Sequence, residues 1–236
     1  MTNINCKLHM GIDVGSTTVK VVIIDDNDKI LFAEYRRHFS DIKSTVKALF
    51  EEVKSAISNE KFTVTITGSG GLLLSNSLGL PFVQEVIANK AAIQKFLPNT
   101  DVVIELGGED AKILYLTGGL EQRMNGTCAG GTGSFIDQMS ILLKTDADGL
   151  NDLAEKHDTI YPIAARCGVF AKSDVKPLLN EGAAKENIAA SVLQAVVTQT
   201  ISGLAQGRPI KGNIVFLGGP LHFLPQLRKQ FENTLK

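Results

Sequence analysis

The sequence lacks several features that mark whole classes of protein. It has no tryptophan and only three cysteines in 236 residues, too few for a disulfide framework. No block of lysine and arginine is present and the formal net charge is -1, which argues against nucleic acid or an anionic membrane as main partner. The first ten residues do not resemble a secretory signal, and no apolar run approaches the roughly 18 residues of a membrane span. We therefore expect a cytoplasmic globular protein with neither a nucleic-acid nor a membrane partner.

Glycine, in contrast, is abundant, with 22 residues, and three glycine-rich loops each follow an apolar run. The first, Gly-Ser-Thr-Thr at residues 15–18, lies between two runs rich in β-branched residues, a pattern that predicts a strand, a turn and a strand. The second is Gly-Gly-Glu-Asp at 107–110, and the third is Gly-Gly at 218–219, after the apolar run 214–217. Three glycine loops that each end an apolar strand are a stronger signal than one.

Further elements follow from apolar spacing. A helix capped by Ser40 or Asp41 is predicted over the residues that follow them. Residues 62–67 alternate as a strand, and 184–204 predict a long helix. A helical tail is predicted for 224–235.

The opening pattern of the chain recurs about ninety residues later, by sequence offset. In both copies an acidic residue stands two positions before a glycine, and a lysine stands five positions after that glycine. The residues are Asp13, Gly15 and Lys20 in the first copy, and Glu105, Gly107 and Lys112 in the second. The repeat predicts a duplicated fold with one domain over 1–100 and another over 101–236.

The residue types in these loops suit phosphate binding. Flexible backbone, several N–H donors and hydroxyl groups can surround phosphate oxygens, and Asp13 can hold Mg²⁺ through water. Glu109 and Asp110 can orient an attacking water or a Mg²⁺-bound water. For the first loop alone, a plain β-hairpin with a polar turn is an equally good interpretation. A Walker A loop is excluded, because its spacing occurs nowhere and the first loop precedes a strand.

Two of the cysteines stand beside glycine, each just before a predicted helix. Cys128 and Cys167 would lie near helix N-termini, which favour the thiolate. Two thiolates are too few for a cluster or a closed zinc site, but a two-fold dimer would supply four. By spacing alone, small buried core residues are the better interpretation. Cys6 matches no motif.

These motifs together resemble a known superfamily. Residues 11–20, 105–110 and 215–219 are similar to the first phosphate, second phosphate and adenosine segments of the acetate kinase, sugar kinase and actin superfamily. The segments that begin at Cys128 and Cys167 are similar to the cluster-binding segments of the BadF/BadG/BcrA/BcrD-type ATPases, which include activators of 2-hydroxyacyl-CoA dehydratases and ATPase subunits of benzoyl-CoA reductase. The similarity covers nearly the whole chain.

The resemblance implies an α/β protein with a duplicated ribonuclease H-like ATPase fold, its mixed sheets flanked by helices, which closes on Mg-ATP or Mg-ADP. It implies catalytic roles for Asp13, Glu109 and Asp110, with Mg²⁺ held by Asp13 through water. The implied nucleotide-binding residues are Gly15, Ser16, Thr17, Thr18, Lys20, Gly107, Gly108, Gly218 and Gly219.

The resemblance also implies a redox function. Cys128 and Cys167 of each subunit in a homodimer would hold one shared 4Fe–4S cluster. ATP use would then drive an electron from a ferredoxin-like or flavin donor to an iron–sulfur dehydratase or reductase partner.

Some features depart from the family pattern, and two other functions remain open. The family often has Gln where this chain has Glu109, and Pro177 must kink the helix expected after Cys167 or mark a new helix start. The chain ends soon after Gly219, so we expect a fragment of a longer protein. The alternatives are a sugar or acid kinase with the same ATP cleft and a non-enzymatic ATP-dependent regulatory module.

Overall fold

The chain folds into two compact units, Met1–Pro98 and Asn99–Lys236. The computed structural model describes residues 8–57, 61–125, 130–164 and 168–236, with only the backbone described at 168 and 169. Each unit has its own sheet and its own apolar core, and each is described by itself.

The first unit is a four-stranded sheet with helices. Its elements are β1 (Leu8–Val14), β2 (Thr18–Asp25), β3 (Ile30–Arg37), α1 (Ile42–Ala56), β4 (Phe62–Thr67), α2 (Gly71–Leu78) and α3 (Glu85–Phe96). The Asp41 side chain accepts a hydrogen bond from the Ser44 N–H and so caps α1. Val46, Leu49 and Val53 of α1 are buried, since their helical spacing puts them on one face against the sheet.

The second unit contains a second four-stranded sheet and more helix. Its elements are β5 (Val102–Leu106), β6 (Ala111–Tyr115), β7 (Glu121–Met124), α4 (Gly133–Leu142), α5 (Ala147–Glu155), α6 (Gly168–Asn180), α7 (Lys185–Thr200), a π-helical turn (Ile201–Ala205), β8 (Ile214–Leu217), α8 (Gly219–Phe223) and α9 (Pro225–Leu235). Every residue of β5 and β6 is buried, because both strands lie in the centre of the sheet.

The two sheets have the same topology. The strand order is β3-β2-β1-β4 in one and β7-β6-β5-β8 in the other. In each sheet the first hairpin is antiparallel and the last strand is parallel to the hairpin's first strand. The sequence repeat has a direct structural meaning, because Asp13 faces Lys20 across one hairpin and Glu105 faces Lys112 across the other.

The helix over Lys185–Ala205 lies at the centre of the second core. Its 21 residues are long and apolar enough to cross a membrane by length and composition, contrary to the expectation that no apolar run approaches that length. However, 67% of its most apolar window is buried inside the protein, and eleven of the α7 residues are buried. Burial on nearly all sides accounts for its apolar composition.

α6 contains Pro177 within one helix, Gly168–Asn180. A new helix start at this proline is therefore excluded.

Candidate functional site

Each unit places candidate site residues on the turn of its first hairpin. Loop 1, residues 15–18, joins β1 to β2, and loop 2, residues 107–110, joins β5 to β6. The Gly15 N–H donates to the Thr18 carbonyl at 2.9 Å, and the Gly107 N–H donates to the Asp110 carbonyl at 2.8 Å. Each loop is thus a tight turn closed by the same backbone hydrogen bond.

Both loops present unused backbone donors. Among the described residues, no protein group accepts a hydrogen bond from the N–H groups of Ser16 and Thr17 in loop 1, or of Gly108 and Glu109 in loop 2. Successive free N–H groups in a turn form a concave anion site. The arrangement can bind phosphate oxygens.

The hydroxyl groups of loop 1 are not equivalent. Ser16 is exposed and its Oγ lies 3.2 Å from the Ser69 Oγ, whereas Thr18 is only 6% exposed. Thr17 is half-buried. We therefore expect Ser16 and Thr17 to be more available to a ligand than Thr18.

Asp13, the second-last residue of β1, has one carboxylate oxygen paired and one without a partner among the described residues. Its Oδ2 accepts a hydrogen bond from the Lys20 Nζ at 2.6 Å. Its Oδ1 is buried, as is the Thr67 Oγ1 on the neighbouring strand, and neither has a hydrogen-bond partner within the described part of the chain. A buried oxygen without a partner is costly, so these two atoms fit a site completed by water or a hydrated Mg²⁺.

Gly68 keeps the backbone close to Asp13. Its φ is +93°, and a Cβ there would lie 2.4 Å from the Asp13 Oδ1 and 2.3 Å from the Val14 carbonyl oxygen. Only glycine allows this approach without displacement. Thr67 and Gly68 were not among the predicted site residues.

Lys20 is held as a cation. Burial lowers the pKa of its ammonium, but the charge and hydrogen bond of Asp13 outweigh burial, with smaller contributions from Tyr35 and Glu85, and the pKa is raised. A raised lysine pKa keeps the Lys20 ammonium charged at neutral pH.

The equivalent lysine of the second unit has a different partner. Lys112 is buried, and its Nζ lies 2.9 Å from the Asp110 Oδ2 but 3.8 Å from the Glu105 Oε1. Lys112 therefore holds the last residue of loop 2 in place. Glu105, which is only 7% exposed, was noticed in the repeat but not chosen as a site residue.

The two acidic residues of loop 2 differ in availability. Asp110 is paired with Lys112, and the absence of a side chain at Gly107 makes room for its carboxylate, since a Cβ there would lie 2.1 Å from the Asp110 Oδ1. Glu109 is exposed, and its side chain makes no hydrogen bond or ion pair with any described residue. Glu109 therefore has its whole carboxylate available to water, whereas one oxygen of Asp110 contacts Lys112.

Two other elements pack against loop 2. The Gly133 and Ser134 N–H groups, at the start of α4, donate to the Gly107 and Gly108 carbonyls at 3.0 and 2.7 Å. The predicted adenosine segment follows β8, where Gly218 has a φ of +90° and a Cβ would lie 2.0 Å from the Leu106 carbonyl oxygen. Gly219 begins α8. The C-terminal ends of β5 and β8 and the N-terminal end of α4 therefore meet in the second unit.

The predicted metal ligands Cys128 and Cys167 lie outside the described residues. In the sequence, Cys128 is five positions before α4, and Cys167 immediately precedes α6. Within the described ranges no group of three or more histidine, cysteine, aspartate or glutamate side chains can hold a metal ion.

The family model for the BadF/BadG/BcrA/BcrD ATPase family matches residues 10–236. The chain belongs to this ATPase family. The prediction of an ATPase of this family is thereby confirmed.

Named members of the BadF/BadG/BcrA/BcrD family are similar over most of their length. The activator of lactoyl-CoA dehydratase from Anaerotignum propionicum is 32% identical over 215 residues, which cover 89% of this chain and 82% of the relative. Two solved structures have a TM-score of 0.86. The (R)-2-hydroxyglutaryl-CoA dehydratase component A from Acidaminococcus fermentans is 28% identical, with 97% of this chain and 88% of that one covered. The activator of 2-hydroxyisocaproyl-CoA dehydratase from Clostridium difficile, solved with bound ADPNP, is 27% identical, with 97% and 85% covered.

The fold extends beyond this ATPase family. The ROK family glucokinase from Streptomyces griseus matches 97% of this chain and 89% of its own with a TM-score of 0.50 at 17% identity, a likeness of fold alone. The predicted fold class, a duplicated actin- and sugar-kinase-like ATPase fold, is confirmed.

Proposed function

We propose that this chain is a cytoplasmic ATP-hydrolysing activator that delivers an electron to a 2-hydroxyacyl-CoA dehydratase-like or acyl-CoA reductase-like partner. Support comes from family membership and from the similarity to activators named for three dehydratases. Both loops would contact the phosphates of ATP, Asp13 would hold Mg²⁺ through water, and Gly218 and Gly219 would lie against the adenosine. This evidence favours the activator over a sugar or acid kinase and over a non-enzymatic regulatory module.

The proposal includes a homodimer with one shared 4Fe–4S cluster held by Cys128 and Cys167 of each subunit. A bound cluster would accept and release single electrons. The electron donor would be a ferredoxin- or flavin-type protein. The support for the cysteines is their sequence context and the family to which the chain belongs.

Two backbone hydrogen bonds connect the proposed phosphate loop of the second unit to the helix that follows Cys128. The first two N–H groups of α4 hold the carbonyls of loop 2, and the segment with Cys128 leads directly into α4. A change in loop 2 on phosphate release would therefore be transmitted to α4. Small shifts of packed helices are a common switching device.

Anaerobic purification tests the cluster directly. We expect iron, sulfide and an EPR signal after reduction in the wild-type dimer, and their loss in Cys128→Ser and Cys167→Ser, because each change removes two of four thiolates. Cys6→Ser is the matched control and should keep the cluster. A cluster that survives in both Cys128→Ser and Cys167→Ser, or an iron-free wild-type protein prepared anaerobically, would contradict the proposal.

The two acidic residues of loop 2 should contribute differently to the rate of ATP hydrolysis. We expect Glu109→Ala to lower kcat for ATP roughly 10- to 100-fold, because a positioned group on the attacking water contributes about that much or more. Glu109→Gln should keep kcat within about threefold, since an amide oxygen can still orient water. Phosphate-release assays measure kcat.

Asp110→Asn is the control for Glu109. Its amide oxygen can still accept from Lys112, so kcat should stay near wild type. A larger loss of kcat in Asp110→Asn than in Glu109→Ala would assign the water-positioning role to Asp110.

A further inference from the structure

His38 is a buried histidine that contacts loop 1. It lies between β3 and α1 and is only 5% exposed. Its Nδ1 accepts a hydrogen bond from the Ser40 N–H at 3.1 Å, and its Nε2 lies 3.2 Å from the Gly15 carbonyl oxygen. A backbone N–H can only donate, so Nδ1 is the unprotonated nitrogen and Nε2 carries the hydrogen. The ring must therefore be neutral, and it donates to Gly15.

The backbone of His38 holds the same loop. Its N–H donates to the Thr17 carbonyl at 3.1 Å. The chain then turns back through Phe39 and Ser40, whose φ values of +45° and +67° lie in the left-handed region that non-glycine residues rarely adopt. This turn brings the Ser40 N–H onto the ring. Two carbonyls of loop 1 are thus held from outside the loop by one residue.

Holding the Gly15 carbonyl fixes the direction of the next amide. The peptide group is planar and trans, so the Ser16 N–H points opposite to the Gly15 C=O. That N–H is one of the loop 1 donors with no acceptor among the described residues. With its carbonyl on His38, the Gly15–Ser16 peptide directs its N–H to the side opposite His38.

The equivalent loop in the second unit also has two carbonyls held from outside by a different element, although these are the first and second of the loop and not the first and third. There the Gly107 and Gly108 carbonyls accept from the first two N–H groups of α4. In the first unit the corresponding donors to loop 1 are the ring and the amide of His38. The duplicated site thus has an external pair of donors behind each loop, although the elements that supply them are unrelated.

We propose that His38 is a positioning residue for ATP: its neutral ring orients the Gly15–Ser16 peptide so that the Ser16 N–H binds a phosphate oxygen. The proposal rests on the proposed nucleotide site. It requires no contact between His38 and the nucleotide. Its effect belongs to ATP binding and not to the chemical step.

Two substitutions distinguish the contribution of the His38 Nε2 hydrogen bond from that of the Nδ1 hydrogen bond. In His38→Gln the side-chain amide reaches the Nε2 position and can still donate to Gly15, whereas in His38→Asn the side-chain oxygen takes the Nδ1 position and keeps only the Ser40 contact. We expect His38→Asn to raise KM for ATP on the order of tenfold, because one charge-assisted hydrogen bond contributes about that much. His38→Gln should stay within about threefold, and kcat should change little in either variant.

Each variant loses one of the two ring contacts, so the midpoint temperature of thermal unfolding should fall by similar amounts in both. A merely structural role predicts equal changes in KM for the two variants, and that result would overturn the proposal. If His38→Asn does not fold, His38→Met replaces it, because it matches Gln in length but has no donor. A wild-type protein that neither binds nor hydrolyses ATP would instead refute the proposed function itself.

Discussion

Replacing Asp13 with asparagine is expected to lower ATP hydrolysis on the order of 100-fold, the scale seen when one preorganised electrostatic group is removed from an active site. Phosphoryl transfer depends on metal ions and charge neutralisation, and Asp13, near the end of β1, has a buried carboxylate oxygen with no partner among the described residues. The substitution also leaves the Lys20 ammonium beside the site without the anion that it contacts at 2.6 Å. Both effects weaken Mg²⁺ binding, so the Mg²⁺ concentration for half-maximal rate should rise.

Asp25 provides the matched control for Asp13. It is the last residue of β2, at the other end of the same hairpin, and its Oδ1 accepts from the Asn27 and Lys29 N–H groups. Asp25→Asn should leave the rate and the Mg²⁺ requirement unchanged. Thermal unfolding of both variants separates loss of structure from loss of activity. An Asp13→Asn enzyme with wild-type rate and Mg²⁺ requirement would remove Asp13 from the site.

Much of the fold could be predicted from the sequence, because the apolar spacing and the turn residues that indicate its elements are local features. The hairpin around loop 1 was predicted, and β4 and β8 have the predicted bounds. The long helix was predicted as one element, whereas the structure ends α7 at Thr200 and adds a π-helical turn. β-Branched runs and a helical apolar period report directly on backbone conformation.

Other elements carry weak local signals and were not predicted. β7, Glu121–Met124, alternates between half-buried and exposed residues and contains mostly polar side chains, as an edge strand can. α3 buries only Ile93, and α5 buries only Leu150 and Ala154. Few buried residues leave little periodicity to detect, and tertiary packing decides these elements.

In the candidate site, too, features formed by neighbouring residues could be predicted, whereas contacts between residues far apart in the sequence could not. Glycine loops after apolar strands can be found in a sequence, and so can the repeat that pairs an acid with a lysine. The contact of His38 with Gly15 joins residues 23 positions apart. The Thr67 oxygen, which has no partner in the part of the chain that the structure describes, lies beside Asp13 because β4 pairs in parallel with β1. Neither has a spacing that would identify it.

Equivalent positions in the repeat have acquired different partners. Lys20 contacts the acid opposite it on the neighbouring strand, whereas Lys112 lies nearer to Asp110 in loop 2 than to Glu105. The Lys112 contact engages Asp110, whereas the Glu109 side chain has no partner among the described residues. The repeat therefore predicts shared topology but does not predict shared roles for each lysine.

A second large effect is expected from substitution of Gly218, which should lower the stability of the protein. Gly218→Ala introduces two costs. The backbone of Gly218, with φ +90° and ψ +157°, lies in a region that is essentially restricted to glycine and costs an alanine about 1–3 kcal/mol. The new Cβ would also lie 2.0 Å from the Leu106 carbonyl oxygen, an overpacking that costs about 1–3 kcal/mol more. We expect the free energy of unfolding to fall by about 2–6 kcal/mol, measured by urea denaturation.

Gly182 allows the two costs to be separated. It also has a positive φ, +80°, but a Cβ at Gly182 would meet no described atom within 4 Å. Gly182→Ala should therefore lose only the cost of placing an alanine at positive φ, roughly 1–2 kcal/mol. Equal losses in the two variants would show that the approach of Gly218 to β5 does not limit stability. If Gly218→Ala loses more, stabilisation by added Mg-ATP should also weaken in that variant, because the displaced atoms connect the end of β5 to the segment proposed to bind adenosine.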